Sequence, residues 1–222
     1  MPRGYFITGI DTGVGKTWVT LALMRYFSLR GESVIGMKPV AAGCELINGQ
    51  LKNSDALLLQ AYSSVALDYQ QVNPYAYALP VSPHIAGVDN PVDLTVVQQQ
   101  LTTLQGMADK VVVEGAGGWY SPLSLQLDNA TLAKALNLPV VLVVAIRLGC
   151  INQACLSLQA IRQSGVDCAG WVAVCNDPAM QAKPANIDYL KTVLDASLLG
   201  VMPYLNVIDI DLLTAGLNKD IS

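Results

Sequence analysis

The chain has 222 residues, of which 52% are hydrophobic and only 14% charged, so it is long enough for a substantial core and much of each element should be buried. Its 13 basic and 17 acidic residues leave a net charge of −4, which argues against a nucleic-acid groove or a basic membrane patch. Apolar runs such as Pro139 to Ile146 are too short to cross a bilayer, and no signal peptide precedes the first expected strand, so we expect a cytoplasmic protein.

Tyr5-Phe6-Ile7-Thr8 has the aromatic and β-branched composition of a buried strand. Gly9-Ile10-Asp11-Thr12-Gly13-Val14-Gly15-Lys16-Thr17 follows, and Lys16 to Arg30 reads as a mostly apolar helix that stops at Gly31. Ser33 to Met37 is a second strand, ended by Lys38-Pro39, and Val40 to Asn53 is polar and glycine-bearing, as in a loop. Ser54 to Tyr62 reads as a helix with Asp55 at its start. Prolines recur from Val72 to Asp93, which argues for a long irregular, substrate-facing segment. Leu94 to Leu104 is a helix with glutamines on its outer face. Lys110 to Glu114 is a short apolar strand ending in an acid, followed by Gly115-Ala116-Gly117-Gly118.

Thr131 to Leu136 reads as a short helix, and the wholly apolar Pro139 to Ala145 as a central parallel strand covered on both faces. A helix within Gly149 to Ser164 precedes a strand from Ala169 to Val174, which runs into Cys175-Asn176-Asp177-Pro178. Ile187 to Leu194 is helical, and Leu198 to Val201 is a last strand. The alternation predicts an α/β fold, a parallel sheet flanked by helices, over residues 1–222 as one domain.

A glycine-rich turn between a strand and a helix that opens with Gly-Lys-Thr is the context of a phosphate-binding loop. Glycines let backbone N–H groups approach phosphate oxygens, and the helix N-terminus adds partial positive charge. In this reading Lys16 neutralises terminal phosphate charge and the Thr17 hydroxyl ligates magnesium. Five residues separate Gly9 from Gly15, one more than in the commonest form. Ligands of such sheets bind beyond the carboxyl ends of the strands, where Lys16, Lys38, Glu114, Arg147 and Asn176 all fall. Lys38 there would stabilise charge developing on a transferring phosphoryl group. Glu114 reads as a strand-terminal acid near the metal. Asp55 reads as a second metal ligand, although an aspartate near a helix start also caps backbone N–H groups. The single histidine, His84, reads as a structural hydrogen-bonding residue rather than a base. Five scattered cysteines (Cys44, Cys150, Cys155, Cys168, Cys175) without a Cys-x-x-Cys pair read as reduced thiols, so any metal should be a hard ion held by oxygen.

These residues resemble the dethiobiotin synthetase family. The resemblance is carried by the loop Gly9 to Thr17, Lys38-Pro39-Val40, Asn53-Ser54-Asp55-Ala56, Val72-Asn73-Pro74-Tyr75 and Ser82-Pro83-His84-Ile85. It continues through Val113-Glu114-Gly115-Ala116-Gly117-Gly118-Trp119, Leu148-Gly149-Cys150-Ile151-Asn152 and Ala169-Gly170-Trp171-Val172. It implies a P-loop fold and an ATP- and Mg²⁺-dependent ring closure of diaminopelargonic acid with carbon dioxide.

By position, the resemblance implies that Gly13, Val14, Gly15, Lys16, Thr17 and Trp18 hold ATP phosphates, and that Thr17, Asp55 and Glu114 hold magnesium. Lys16 and Lys38 stabilise the reacting phosphoryl and carbamate groups, and Thr12 is catalytic beside them. Gly115, Ala116 and Gly117 approach the nucleotide, while Asn176, Asp177, Pro203, Tyr204 and Leu205 frame the adenine. Lys38, Ala42, Ser82, Leu148, Gly149 and Asn152 face the substrate, the last three across the two-fold axis of a homodimer. Two positions depart from the family pattern: many members carry glutamate at the position of Gly13, and a serine or threonine is expected where Ala42 stands. A P-loop amide ligase and a partitioning or switch-type ATPase are the alternatives. Neither accounts for the full run of matches.

Overall fold

The structure, a computed structural model, describes residues 3–219 and Ile221; residues 1, 2, 220 and 222 of the expected span lie outside the described residues. In chain order it runs β1 (Gly4–Gly9), α1 (Lys16–Ser28), β2 (Val34–Met37), β3 (Val40–Ala42), β4 (Glu45–Ile47), β5 (Gln50–Lys52), α2 (Ser54–Ala61), α3 (Tyr69–Val72), β6 (Tyr75–Tyr77) and α4 (Pro83–Ala86). It continues with α5 (Leu94–Gln105), β7 (Lys110–Gly118), α6 (Asn129–Leu136), β8 (Val140–Ala145), α7 (Cys150–Gln163), β9 (Cys168–Val174), α8 (Lys183–Val193), β10 (Leu198–Met202) and α9 (Ile210–Ala215).

Six strands form one sheet in the order β10-β9-β8-β1-β7-β2, every pairing parallel. Their composition explains this arrangement. β1 and β8 are buried at every residue, as strands covered on both faces must be. Between them the helices present apolar stripes to the sheet. In α5 Val97, Leu101 and Leu104 are buried, and in α7 Ala154, Leu158 and Ile161 are, both at helical spacing. The parallel order brings the loops after β1, β2, β7, β8 and β9 to one edge.

Several elements differ from expectation. The segment Val40 to Asn53, expected as a loop, contains three short strands: β3, and the antiparallel pair β4 and β5. The proline-rich segment Val72 to Asp93 is not wholly irregular. It supplies β6, which pairs in parallel with β3, with Val40 opposite Tyr75 and Ala42 opposite Tyr77. It also supplies α4, where Pro83 sits in the first turn, the one helical place where a missing N–H costs nothing. β7 does not end at Glu114 but runs on through the glycines to Gly118, so the acid lies inside the strand. The helices α3 and α9 had no counterpart in the expected elements. α8 begins at Lys183 rather than at Ile187.

The start of α2 sets where Asp55 points. Asn53 is its cap, and its Oδ1 accepts from the N–H groups of Asp55 at 3.1 Å and Ala56 at 3.2 Å. Replacing it removes an acceptor for two otherwise unpaired amides. Asn53→Ala is expected to lower stability by about 1 kcal/mol, read as a lower urea midpoint with an unchanged slope.

Candidate active site

The loop from β1 into α1 is shaped by two left-handed glycines, Gly13 (φ 68°) and Gly15 (φ 93°). A β-carbon on Gly15 would stand 2.9 Å from Val174 Cγ1 at the end of β9, so both the backbone angle and the close approach require glycine. α1 starts directly at Lys16, leaving the first helical N–H groups directed at the cleft. Asp11 braces the loop from within. Its Oδ1 accepts from the Thr12 N–H at 2.7 Å and its Oδ2 from Arg147 Nη2 at 2.8 Å. Lys16 curls back to donate to the Asp11 carbonyl at 2.9 Å. Burial, opposed by Glu114 and reinforced by Lys38, lowers the Lys16 ammonium to about 8.

Glu114 lies beside Ile7 in the β1–β7 register, and its side chain is 1% exposed. Both its oxygens are occupied. Oε1 accepts from Lys38 Nζ at 2.5 Å and from Thr17 Oγ1 at 3.1 Å. Oε2 accepts from Thr20 Oγ1 at 3.1 Å, a hydroxyl also placed 2.9 Å from the Lys16 carbonyl. Lys38 follows β2 and reaches Asp55 Oδ2 as well, at 3.4 Å. Burial alone would lower its ammonium, but the charges of Glu114 and Asp55 and its hydrogen bonds to both hold it above the ordinary lysine range.

Behind this cluster a buried hydrogen-bonded chain ties its parts together. The Asn53 N–H donates to Tyr69 Oη at 2.7 Å, Tyr69 Oη donates to Asn73 Oδ1 at 2.8 Å, and Asn73 Nδ2 donates to the Lys38 carbonyl at 2.7 Å. The cap of the Asp55 helix and the backbone of Lys38 are thereby held by the same polar network. On the other side, Asn129 at the start of α6 is wholly buried. Its Nδ2 donates to the carbonyls of Ala116 at 2.6 Å and Gly118 at 2.8 Å, and its Oδ1 faces the Ala116 N–H at 3.3 Å. It pins the glycine-rich end of β7, which has no side chains of its own to do so.

The loop, Lys38, Asp55, Glu114 and the glycine-rich end of β7 line one cavity of about 730 Å³ at the carboxyl edge of the sheet, with Thr20, Tyr69, Asn73 and Asn129 behind its walls. Of the expected residues, Thr12, Gly13, Gly15, Lys16, Thr17, Trp18, Lys38, Ala42, Asp55, Ser82, Glu114, Ala116, Gly117 and Asn176 meet there. Asn176 donates from Nδ2 to the Gly13 carbonyl at 3.0 Å. Ser82 Oγ is 3.0 Å from His84 Nδ1, which fits the structural reading of that histidine. Val14 is fully buried beneath the loop. Gly115, Asp177, Pro203, Tyr204 and Leu205 are not among the lining residues, whereas Ile208 is. Leu148, Gly149 and Asn152 also lie outside the cavity, all three exposed.

Sequence reading passed over Asn129, Tyr69, Asn73, Thr20 and the Asp11–Arg147 pair. Asn73 stood in the quoted motif Val72-Asn73-Pro74-Tyr75, Asp11 in the loop Gly9 to Thr17 and Arg147 among the strand-end residues, but none of them was given its role. The pairings of Thr20 with Glu114 and of Asp11 with Arg147 join residues 94 and 136 apart in the chain, which no local pattern announces.

A metal would find hard oxygen donors here. Among the described residues no group of three or more His, Cys, Asp or Glu side chains is arranged for a metal. A cation at this place would draw on the Thr17 hydroxyl, two carboxylates and oxygens of the nucleotide. That is the ligand set suited to magnesium, which binds through few protein groups and keeps phosphate and water ligands.

A family model described as an AAA domain matches residues 3–210. An ATP-dependent dethiobiotin synthetase BioD of Nitrosospira multiformis is 48% identical over 92% of this chain and 89% of its own. The ATP-dependent dethiobiotin synthetase BioD 1 of Salmonella typhi is 44% identical over 93% and 92%. Among solved structures, the MinC:MinD cell division complex of Aquifex aeolicus superposes with a TM-score of 0.61 over 97% of this chain and 86% of that one, at 14% identity. The septum site-determining protein MinD of Pyrococcus horikoshii, complexed with Mg-ADP, gives 0.57 over 99% and 88%, at 18% identity. These two likenesses show the P-loop fold alone.

Asn129→Ala would remove the side-chain donor from the half-buried Ala116 and Gly118 carbonyls, leaving Gly118 only the Ser121 N–H at 3.1 Å, a cost of about 1 kcal/mol or more. We expect a lower unfolding midpoint, together with weaker binding of a fluorescent ATP analogue in a direct titration.

Proposed function

The chain belongs to the family of ATP-dependent dethiobiotin synthetases, and from that premise we propose that the cleft at the carboxyl edge of its sheet is where the ligase reaction runs. The reaction itself joins diaminopelargonic acid and carbon dioxide into dethiobiotin at the expense of ATP. The observation that carries the assignment of the site is the meeting of a phosphate loop, two lysines and a second carboxylate, Asp55, in one cleft with the buried Glu114.

In this reading one amine of the diamine captures carbon dioxide as a carbamate. A carbamate oxygen attacks the γ-phosphorus of ATP in line, the bond to the β,γ-bridging oxygen breaks, and ADP leaves. The second amine then attacks the carbonyl carbon of the carbamic–phosphoric anhydride. Inorganic phosphate departs and the cyclic urea closes. The chain's part is to hold and neutralise. The loop from Gly13 to Trp18 cradles the phosphates, and Lys16 meets the terminal one. Lys38 stabilises the carbamate and the transferring phosphoryl group, with Thr12 at the mouth of the loop. Ala116 and Gly117 let the nucleotide approach the backbone, with Gly115 in the same run. Asn176 and Asp177 frame the base, and Pro203, Tyr204 and Leu205 close over it from the end of β10. Thr17, Asp55 and Glu114 would hold magnesium, which when bound neutralises phosphate charge and aligns the terminal phosphoryl group. No step needs a protein base of ordinary histidine type, so positioning and charge can supply most of the rate.

Ser82 and Ala42 face the diamine. Leu148, Gly149 and Asn152 serve the substrate of a second copy in a homodimer. Two observations support that pairing: Leu148 is 94% exposed, and Tyr120 and Leu156, both exposed apolar residues, line one groove beside α7. Among the described residues no helix is long and apolar enough to cross a membrane, in keeping with a cytoplasmic enzyme of small-molecule substrates.

The test is phosphate release from MgATP with diaminopelargonic acid, with and without bicarbonate, alongside mass detection of dethiobiotin. We expect release to require both co-substrates. Hydrolysis indifferent to either would overturn the reading. Ala42 is half-buried at the cavity wall, and its methyl cannot hydrogen-bond the diamine or carbamate. Restoring a hydroxyl with Ala42→Ser should be worth about 1 kcal/mol. The expected result is a KM for the diamine about fivefold lower at nearly constant kcat.

A further inference from the structure

The position read above as the metal site already holds a cation. The ammonium of Lys38 lies 2.5 Å from Glu114 Oε1 and 3.4 Å from Asp55 Oδ2, and Thr17 Oγ1 donates to the same Glu114 oxygen at 3.1 Å. These are the three side chains assigned to magnesium: Glu114 and Asp55 contact Lys38 itself, and Thr17 shares the Glu114 oxygen with it. A divalent ion demands oxygen ligands at about 2.0–2.1 Å in near-octahedral array. The Lys38 ammonium stands on the oxygen the ion would need, and two cations so close in a buried place repel strongly.

We propose that Lys38 is the resident cation of this site and that it exchanges with the metal: the divalent ion enters only as the Lys38 ammonium swings off Glu114 and Asp55 into the cleft. The proposal rests on the assignment of the metal to Thr17, Asp55 and Glu114.

The chain around Lys38 suits such an exchange. Its backbone is fixed, with its N–H donating to the Val72 carbonyl at 2.9 Å and its carbonyl accepting from Asn73 Nδ2 at 2.7 Å, and Pro39 restricts it further. The element therefore does not move. The four-carbon stem does, being long and freely rotating, and the cavity of about 730 Å³ that Lys38 itself lines gives it room. Before the metal arrives, Lys38 neutralises a carboxylate that is 1% exposed and would otherwise be held by the Thr17 and Thr20 hydroxyls without a counter-charge in contact. Once the metal takes over that duty, the ammonium is released to the side where substrate and terminal phosphate meet. The lysine engages the reacting groups only after the metal nucleotide is in place. The cost to the enzyme is weaker metal affinity in the nucleotide-free state.

The experiment measures Mn²⁺ binding to the nucleotide-free protein by loss of the free-ion signal in electron paramagnetic resonance. It uses the natural chain, Lys38→Met and Lys38→Met/Glu114→Gln, each first checked for a cooperative unfolding transition. The exchange requires Lys38→Met to bind Mn²⁺ at least about tenfold more tightly than the natural chain, and the gain to vanish when Glu114→Gln is added. Equal affinity in the natural chain and Lys38→Met, lost on adding Glu114→Gln, would overturn the exchange and leave the metal site standing. Binding that ignores Glu114 throughout would overturn the metal site, and the exchange with it. A second measurement needs no variant. Pulse acetylation of the natural chain, read at Lys38 by mass spectrometry, should rise severalfold when Mn²⁺ is added to a bound concentration. Unchanged labelling with the ion bound would overturn the exchange.

Discussion

A carboxylate is buried in the middle of a parallel sheet, and the site is built around making that tolerable. Glu114 is flanked by Ile7 on β1 and lies next to Val113, which pairs with Met37 on β2. Those neighbours offer it no charge. An ionised acid there is costly unless paired and hydrogen-bonded. The compensation comes from two other elements: Lys38 from the end of β2, and Thr17 and Thr20 from the first turns of α1. Because each partner must arrive at the same carboxylate, the relative placement of β2, β7 and α1 is fixed to within hydrogen-bond tolerance. The phosphate loop, which lies between β1 and α1, inherits that placement.

The partners of Glu114 need support of their own, and it is polar and buried. The chain from Asn53 through Tyr69 and Asn73 to the Lys38 carbonyl joins segments that are far apart in sequence. Burial raises the Tyr69 hydroxyl above its ordinary range, which keeps it a neutral donor and acceptor in that chain. Asn129 does the equivalent task for the other wall. A strand end made of Gly115, Ala116, Gly117 and Gly118 would give a nucleotide close access to backbone, but its own side chains contribute almost nothing to holding it still. The stiffness is supplied from α6, through one amide that satisfies two carbonyls.

This division explains what could and could not be read from the sequence. The central strands announce themselves, because strands covered on both faces are continuous apolar runs, and Val140 to Ala145 is such a run. The phosphate loop is legible because its glycines, lysine and threonine are local in sequence and their chemistry depends on that spacing. β3 and β6 were missed for the opposite reason. Each is three residues long, too short for a period, and each forms only because the other is there. The end of β7 was misplaced because glycines ordinarily weaken a strand, whereas here pairing of Gly118 with Gly9 continues the ladder. The convergence of Lys38, Asp55 and Glu114 was expected, but its form was not. Nothing in the order of residues says that the lysine would sit on the acid rather than face the ligand.

The charges at the cleft then set a condition on what can bind. Asp11 is paired with Arg147, and Glu114 and Asp55 share Lys38. Lys16 rests on a neutral carbonyl, with an ammonium made easier to discharge by burial. With Lys16 charged, three acids face three bases, so the site's own side chains are close to neutral and its cations are largely committed. A bare triphosphate entering such a place would meet mainly Lys16 and the backbone N–H groups of the loop, with two carboxylates nearby. Additional positive charge has to come with the ligand. That charge balance would favour a nucleotide arriving as a metal complex, and it follows from the burial of one glutamate rather than from the phosphate loop alone.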